Sequence, residues 1–496
     1  MRAGATRACC VAALALLLGA GCTRTLDGGR PGAPSTSDAT PPPAGPPDTT
    51  VELPPVTERV LPNGLTVLVA EHRELPLVTF HMVLPAGAAY DPPGKEGVAA
   101  LTADLLRKGT ATRSAEELAR AIEFLGGSLG GGASLDFAAI SGEFLSKDLD
   151  QGLELFAAVA RRPRFAADEF RRAQGLTLAG IVTEREEPSA IADRCLQAYL
   201  YGRHPYGHTT SGSEASVRAL TAADVRTFYR RHYGPAGAVL VVIGDAPTAE
   251  LLAKAAGAFG DWRTEAGTAP PLPSPPPVAG RRLLLVDKPD ATQAHIRVAN
   301  VGLARTDPAY VSAVVTATVL GGGFGSRLID ELRVKRSLTY GAWSGFAARR
   351  VPGDFRVGTF TKVETTGEAL ALTLDLLRQF AAEGPTEEEL RRAQSLLTGQ
   401  YPRQLETAGA IAGKLAEAEA YGLPRAEIED YPERVLATTA PAIQEVATRY
   451  VPTDDVVIVV VGPAAAIAPQ LAPYAPYDRT TPAACDGHGS RVLPRP

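Results

Sequence analysis

Several groups of residues in this chain have types and spacings that could do chemistry. Gly126-Gly127-Ser128-Leu129-Gly130 matches G-x-S-x-G, the pattern in which a sharp turn presents a serine nucleophile. That turn needs a strand before it and a helix after it. Here a helical pattern precedes and a strand pattern follows, so the context is reversed. His204 and His208 stand four residues apart, a spacing that places two imidazoles on one helix face as metal ligands. Pro205 and Gly207 argue against a helix between them, and the pair reads as part of a structural loop. Gly321-Gly322-Gly323-Phe324-Gly325 could suggest a phosphate loop, but no Gly-Lys-Ser/Thr follows and G-x-G-x-x-G is not completed. It reads instead as a flexible loop before a helix carrying Arg333, serving as a hinge or lining a substrate channel. Arg333 and Tyr340, taken by spacing alone, read as a solvated helix arginine and a packed aromatic.

The elements that must position these residues follow from size and patterning. The 496 residues include 45% hydrophobic and 21% charged side chains, enough apolar material for more than one core. A formal net charge of -5 and the lack of a basic run exclude an electrostatic case for nucleic acid. Arg2 and Arg7 precede an apolar run at 11–18 that is too short to span a membrane, which takes roughly 20 apolar residues, and reads as a signal-peptide core. Gly19-Ala20-Gly21-Cys22 then resembles a bacterial lipobox, with Gly19 where leucine is usual, which makes Cys22 the expected lipidated residue. An ordinary secretory signal cut near Gly21 or Cys22 is the alternative. Thr23 is not Asp, so no inner-membrane retention signal is evident. Residues 23–52 are rich in Gly, Pro, Ser and Thr and read as a disordered tether. Cys9 and Cys10 leave with the signal, and apart from Cys22 only Cys195 and Cys485 remain, too few and too far apart to suggest a disulfide framework or a thiolate metal site.

A Pro-rich stretch at 269–277 divides the rest in two, within an expected linker at 266–281. An N-terminal domain is expected at 53–265, a C-terminal domain at 282–472 and a weakly patterned tail at 473–496. Short apolar runs at 65–70 and 78–84 predict strands, and 133–144 alternates enough for another. Ser114 with Glu117 is a capping box before Leu118, Ile122 and Leu125 on one helical face. Thr221 with Asp224 starts a helix that ends at Tyr233-Gly234-Pro235 before a strand at 238–243. Thr438, Tyr450-Val451-Pro452 and a strand at 456–461 repeat that order in the second half. The repeat predicts two homologous α+β domains, each too large for a solenoid unit.

Ordered motifs carry a family resemblance. "LPNGLTVLV", "AGAAYDPPGKEGVAALTADLLRKGT" and "YGRHPYGHTTSGSEASVRALTAADVRTFYRRHYGPAGAVLVVIGD" resemble the N-terminal domain of pitrilysin/insulinase-type zinc peptidases. "LGGGFGSRLIDELRVKRSLTYGAWSGF" resembles the matching part of the C-terminal domain, so the likeness spans about residues 55–465. It implies two α/β-sandwich domains arranged as a clam shell around a peptide. Active members carry H-x-x-E-H between the Gly and the Gly-Thr of the second motif: two imidazoles for zinc and a glutamate general base. In this chain the frame from Gly97 to Gly109-Thr110 is intact, but the motif positions hold Ala100, Ala103 and Asp104. The distant glutamate ligand maps to about Gly180, beside Ala179, with Glu184 one helical turn away. Asp104 and Glu184 would make at most two carboxylates, whereas zinc prefers nitrogen and sulfur donors and takes three protein ligands here. No metal is therefore expected in this chain.

The resemblance also implies what is kept. In active relatives an Arg and a Tyr at the spacing of Arg333 and Tyr340 contact the substrate backbone and stabilise its oxyanion. An open edge strand, expected at 132–137 with Gly132 in place of a common Asn, would pair with the peptide backbone. The expectation is thus a non-catalytic, substrate-binding subunit that lends Arg333 and Tyr340 to the zinc site of a homologous partner. It would sit in the cell envelope, anchored by lipid on the periplasmic side or at the outer membrane. The alternative is a peptide-binding or scaffold lipoprotein without any catalysis.

Overall fold

The computed structural model describes residues 51–267 and 269–486. The signal segment, Cys22 and nearly all of the tether lie outside the described residues. Among the described residues, twelve strands form two six-stranded sheets. The first contains β1 (Val56–Val60), β2 (Thr66–Glu71), β3 (Leu77–Leu84), β4 (Ser128–Ala133), β5 (Ala138–Leu145) and β6 (Val239–Gly244). The second contains β7 (Arg281–Asp287), β8 (Gln293–Val301), β9 (Ala342–Ala347), β10 (Asp354–Lys362), β11 (Val456–Gly462) and β12 (Asp478–Thr480).

Five strands of each sheet repeat one topology, and only the edge strands β1 and β12 differ, the first antiparallel to its neighbour and the second parallel. The sheet orders are β1-β2-β6-β3-β5-β4 and β12-β7-β11-β8-β10-β9. In each, the last long strand of the half is inserted centrally: β6 lies parallel to β2 and antiparallel to β3, and β11 parallel to β7 and antiparallel to β8. Both inserted strands are buried along their whole length, which explains their unbroken apolar sequences. Each follows a helix started by threonine. Thr221 and Asp224 form the capping box of the helix Ala222–His232. In the second half the cap of the helix Ala440–Tyr450 is Thr439, not the expected Thr438. Thr438 instead donates its hydroxyl to the Arg434 carbonyl at 3.0 Å. The α+β class and the two related domains expected from the sequence are what the chain adopts.

Each sheet covers its second face with a helix from the other half. Leu68, Ala70, Val83, Val239, Val241 and Ile243 of the first sheet pack on Ile411, Leu415 and Ala418 of the helix Ala408–Tyr421. Reciprocally, Leu284, Val286, Val457, Val459 and Val461 of the second sheet share a core with Ile191, Leu196 and Tyr199 of the helix Pro188–Tyr201. Buried Arg297 on β8 fixes that helix by a two-point pair with Asp193, at 2.7 and 3.1 Å. Asp136, only 2% exposed, is a second tie. It accepts from the Tyr206 hydroxyl at 2.5 Å, the Tyr421 hydroxyl at 2.8 Å and the Arg350 N–H at 2.9 Å. The Pro-rich connection is extended and packed, with Leu272 against the first core and Val278 buried.

Two sequence expectations change here. Cys195 and Cys485 are joined in a disulfide, although the sequence suggested none. Long separation had argued against pairing, but the fold brings the turn Pro482–Cys485 onto the helix that carries Cys195. The weakly patterned tail expected from 473 is also structured over its described part, to residue 486. It contributes β12, parallel to β7, and then the turn that carries Cys485. No described helix is long and apolar enough to cross a membrane.

Candidate functional site

The degenerate motif lies on the helix Val98–Leu105. Asp91 anchors that helix by accepting from the N–H groups of Gly97 at 2.7 Å and Ala99 at 2.8 Å. Burial pushes the Asp91 carboxyl well above its usual range, and these two bonds oppose the shift. Gly97 has φ 99°, and a Cβ there would lie 2.8 Å from the Ser211 carbonyl oxygen, so the frame glycine is required by the fold. The frame persists, but its ligands do not. Ala103 is buried, Ala100 is half-buried, and Asp104 pairs with Arg107 at 2.9 Å. Gly180 lies on the helix Ala167–Glu184, exposed, with nothing within 4 Å of where its Cβ would sit.

Glu184 is held elsewhere. It pairs with buried Arg194, which also donates to the Gly212 carbonyl at 3.1 Å and to Asp486 at 3.0 Å. Arg185 joins Asp486 to Glu214. This cluster fastens residue 486 next to the disulfide and leaves Glu184 no role at the motif. Among the described residues no three His, Cys, Asp or Glu side chains are grouped to hold a metal ion. The side chains at the motif positions do not fit zinc, which needs three donors converging on one point.

Arg333 and Tyr340 share a cavity of about 440 Å³, lined also by Gln293, Ser337, Leu338, Thr339, Phe360, Thr361 and Lys362. The expected helix around Arg333 is a short α-helical turn, Arg327–Ile329, that widens into a π-helical one, Asp330–Lys335. Such widened turns often occur at functional sites because they re-aim side chains. The Arg333 guanidinium lies 5.4 Å from the ring of Phe324, itself 82% exposed. Tyr340 is not packed; it is 79% exposed. The backbone beneath it is fixed all the same. The Leu338 N–H donates to the Leu332 carbonyl at 2.8 Å, and the Thr361 hydroxyl to the Leu338 carbonyl at 2.7 Å. The Thr339 and Thr359 hydroxyls both donate to the Gly341 carbonyl, at 2.9 and 3.0 Å. Flexible donors on a fixed backbone suit an incoming carbonyl oxygen.

The glycine run before Arg333 is tighter than a flexible loop. A Cβ on Gly321 would lie 2.3 Å from the Ser344 N–H nitrogen on β9, so that glycine permits close packing of helix on strand. The edge strands of the first sheet are β1 and β4, and the one nearest the expected 132–137 is β4, Ser128–Ala133, earlier in the chain. Residues 134–137 form a turn closed by Ser134, whose hydroxyl accepts from the Phe137 N–H at 3.1 Å. Ser128 opens β4 directly after a helix, the reverse of a nucleophile elbow. His204 accepts from the Tyr206 N–H on Nδ1 at 3.0 Å, so its Nε2–H donates to the Pro273 carbonyl at 2.8 Å. Both ring nitrogens hold the loop and the connection in place, and burial lowers the ring's pKa. Lys362 was not singled out from the sequence, and Phe324 entered only as part of the glycine run. They reach the Arg333 neighbourhood only through the turn of the chain and the β8–β10 ladder.

A family model described as insulinase (peptidase family M16) matches residues 66–214, and one described as the peptidase M16 inactive domain matches 219–397. An uncharacterized zinc protease of Streptomyces coelicolor is 26% identical, over 79% of this chain and 86% of its own. One of Mycobacterium leprae is 30% identical, over 73% and 82%. A Helicobacter pylori protein named as a non-peptidase homolog is 24% identical, over 69% and 78%. Among solved structures, a peptidase M16 inactive domain from Pseudomonas fluorescens superimposes with a TM-score of 0.77 at 30% identity, covering 82% of this chain and 98% of that one.

Proposed function

The chain belongs to the insulinase family, peptidase family M16, as an inactive-type homologue, and we propose that it is the substrate-binding subunit of a two-chain zinc peptidase. The observation that carries this reading is the contrast between its two candidate sites. The motif helix keeps its frame glycines and presents Ala100, Ala103 and Asp104, whereas Arg333 and exposed Tyr340 stand on a braced backbone beside an open cavity. Arg333 offers planar N–H donors and Tyr340 an O–H donor. Aimed at the carbonyl of a bound peptide, they would bind it and favour negative charge developing on its oxygen. The cleavage chemistry would come from zinc held by a homologous partner.

The disulfide supports export of the chain, because such bonds persist in oxidising compartments. Lipid anchoring at Cys22, with the protein on the periplasmic side or at the outer membrane, completes the proposal and is tested by labelling wild type and Cys22→Ser with a lipid precursor.

The functional test mixes the purified chain with a zinc-bearing homologue encoded beside it. Cleavage of an unfolded peptide should need both chains. Peptide binding without any stimulation of cleavage would instead favour the scaffold-lipoprotein reading.

A further inference from the structure

The cavity beside Tyr340 carries two cationic side chains and no anionic one. Arg333 enters from the π-helical turn and Lys362 from the end of β10. Among the described residues, no carboxylate forms an ion pair with either, although both signs of charge are common nearby. Asp330 and Glu331, on the same turn as Arg333, are held by Lys335 at 2.9 and 2.6 Å. Farther along the same strands, Arg297 is paired with Asp193 and Arg356 with Asp354. Arg333 and Lys362 therefore meet in this cavity as two cations that no carboxylate neutralises among the described residues.

Lys362 lies directly across the ladder from Gln293, and Phe360 directly across from His295, against which its ring stacks at 5.6 Å. Residues two apart in a strand share a sheet face, so Lys362 and Phe360 stand on the same one. Burial, and then the neighbouring Arg297, push His295 down to about 4, so that ring adds no charge near neutral pH. The Thr339 and Thr361 hydroxyls already donate to carbonyls. Lys362 thus lines the same cavity as Arg333 and Tyr340, on the strand face that carries the Phe360 ring.

We propose that this cavity selects peptides by a carboxylate, with Lys362 as the specificity-determining residue. The carboxylate would be an acidic side chain or the peptide's own C-terminus, placed next to the residue whose backbone Arg333 and Tyr340 hold. The assignment rests on the reading that this pair binds peptide.

The test uses the full chain and fluorescent unfolded peptides that differ at one position, Glu, Gln or Lys, each made as a free acid and as a C-terminal amide. Binding is followed by anisotropy for wild type, Lys362→Gln and Lys362→Glu, with thermal midpoints confirming that the variants fold. Wild type should prefer the Glu peptide over the Gln peptide by about fivefold to tenfold, as one partly exposed charged contact allows. Lys362→Gln should abolish the preference and Lys362→Glu should turn it toward the Lys peptide. If the terminal carboxylate is the one recognised, the same pattern appears between free acid and amide. Equal affinities in wild type, a preference that survives Lys362→Gln, or no peptide binding at all overturns the proposal. Partner-stimulated cleavage of the same peptides separates the two ideas. Stimulation without carboxylate preference removes only the cavity assignment, and preference without stimulation removes only the trans-subunit reading.

Discussion

Tyr340 and Arg333 contribute little that would hold the fold together. One is largely exposed, and the other makes a ring contact but no ion pair among the described residues. Arg333→Ala and Tyr340→Phe should therefore leave the thermal midpoint within about 1–2 °C of wild type, as surface substitutions do. Each should lower partner-stimulated cleavage by about 10²–10³-fold if it donates to the oxyanion. Scanning calorimetry beside a cleavage assay checks both halves of that statement. Titration offers a second prediction at this scale. Burial holds His232 and His295 down to about 4, against 6.5 for a free imidazole. Below 6.5 the unfolded chain takes up these protons and the folded chain does not, so stability should fall as pH drops from about 6.5 to about 4. Urea unfolding across that window should show a shallower slope in His295→Gln than in wild type; equal slopes would remove His295 as a cause. The Arg333–Tyr340 spacing was legible in the sequence because seven residues and one turn connect them. Lys362 was not, since spatial closeness between strand end and turn leaves no linear pattern.

The elements that carry strong local signals stand close to where the sequence puts them. Both capping boxes, at Ser114 and Thr221, form as read, because the side chain and the N–H it satisfies are only three residues apart. Buried strands such as β3 and β6 match their apolar runs within a residue. The edge strand was misplaced because its glycines, in Ser-Leu-Gly-Gly-Gly-Ala, have no side chains to alternate between faces. The turn that follows has a structural role hidden in one residue, Asp136. Asp136→Ala would leave two tyrosine hydroxyls and the Arg350 N–H without their acceptor in a buried site. We expect a loss of about 2–4 kcal/mol, measured by chemical denaturation, because several donors are stranded together. A loss below about 1 kcal/mol would mean that water or a neighbouring carbonyl replaces the carboxylate.

At the scale of the whole molecule, the halves are cross-braced by exchanged helices, the Arg297–Asp193 pair and the disulfide. Two homologous halves were legible from the repeated helix, turn and strand. The exchange was not, because a helix with two apolar faces does not say which sheet each will meet. Cys195→Ser with Cys485→Ser should cost about 2–5 kcal/mol and expose the segment after Pro473 to proteolysis, because the bond closes a long loop. Unchanged protease resistance would show that β12 and the Asp486 pairs suffice alone. The most direct measurement on the central claim is zinc-dependent cleavage of an unfolded peptide by three samples: this chain, its zinc-bearing homologue, and the two together, each with wild type, Arg333→Ala or Tyr340→Phe. We expect no cleavage by this chain alone, rapid cleavage by the wild-type pair, and a return to the homologue's own rate with either variant. Zinc-dependent cleavage by this chain alone, or a pair whose rate ignores both variants, would contradict it.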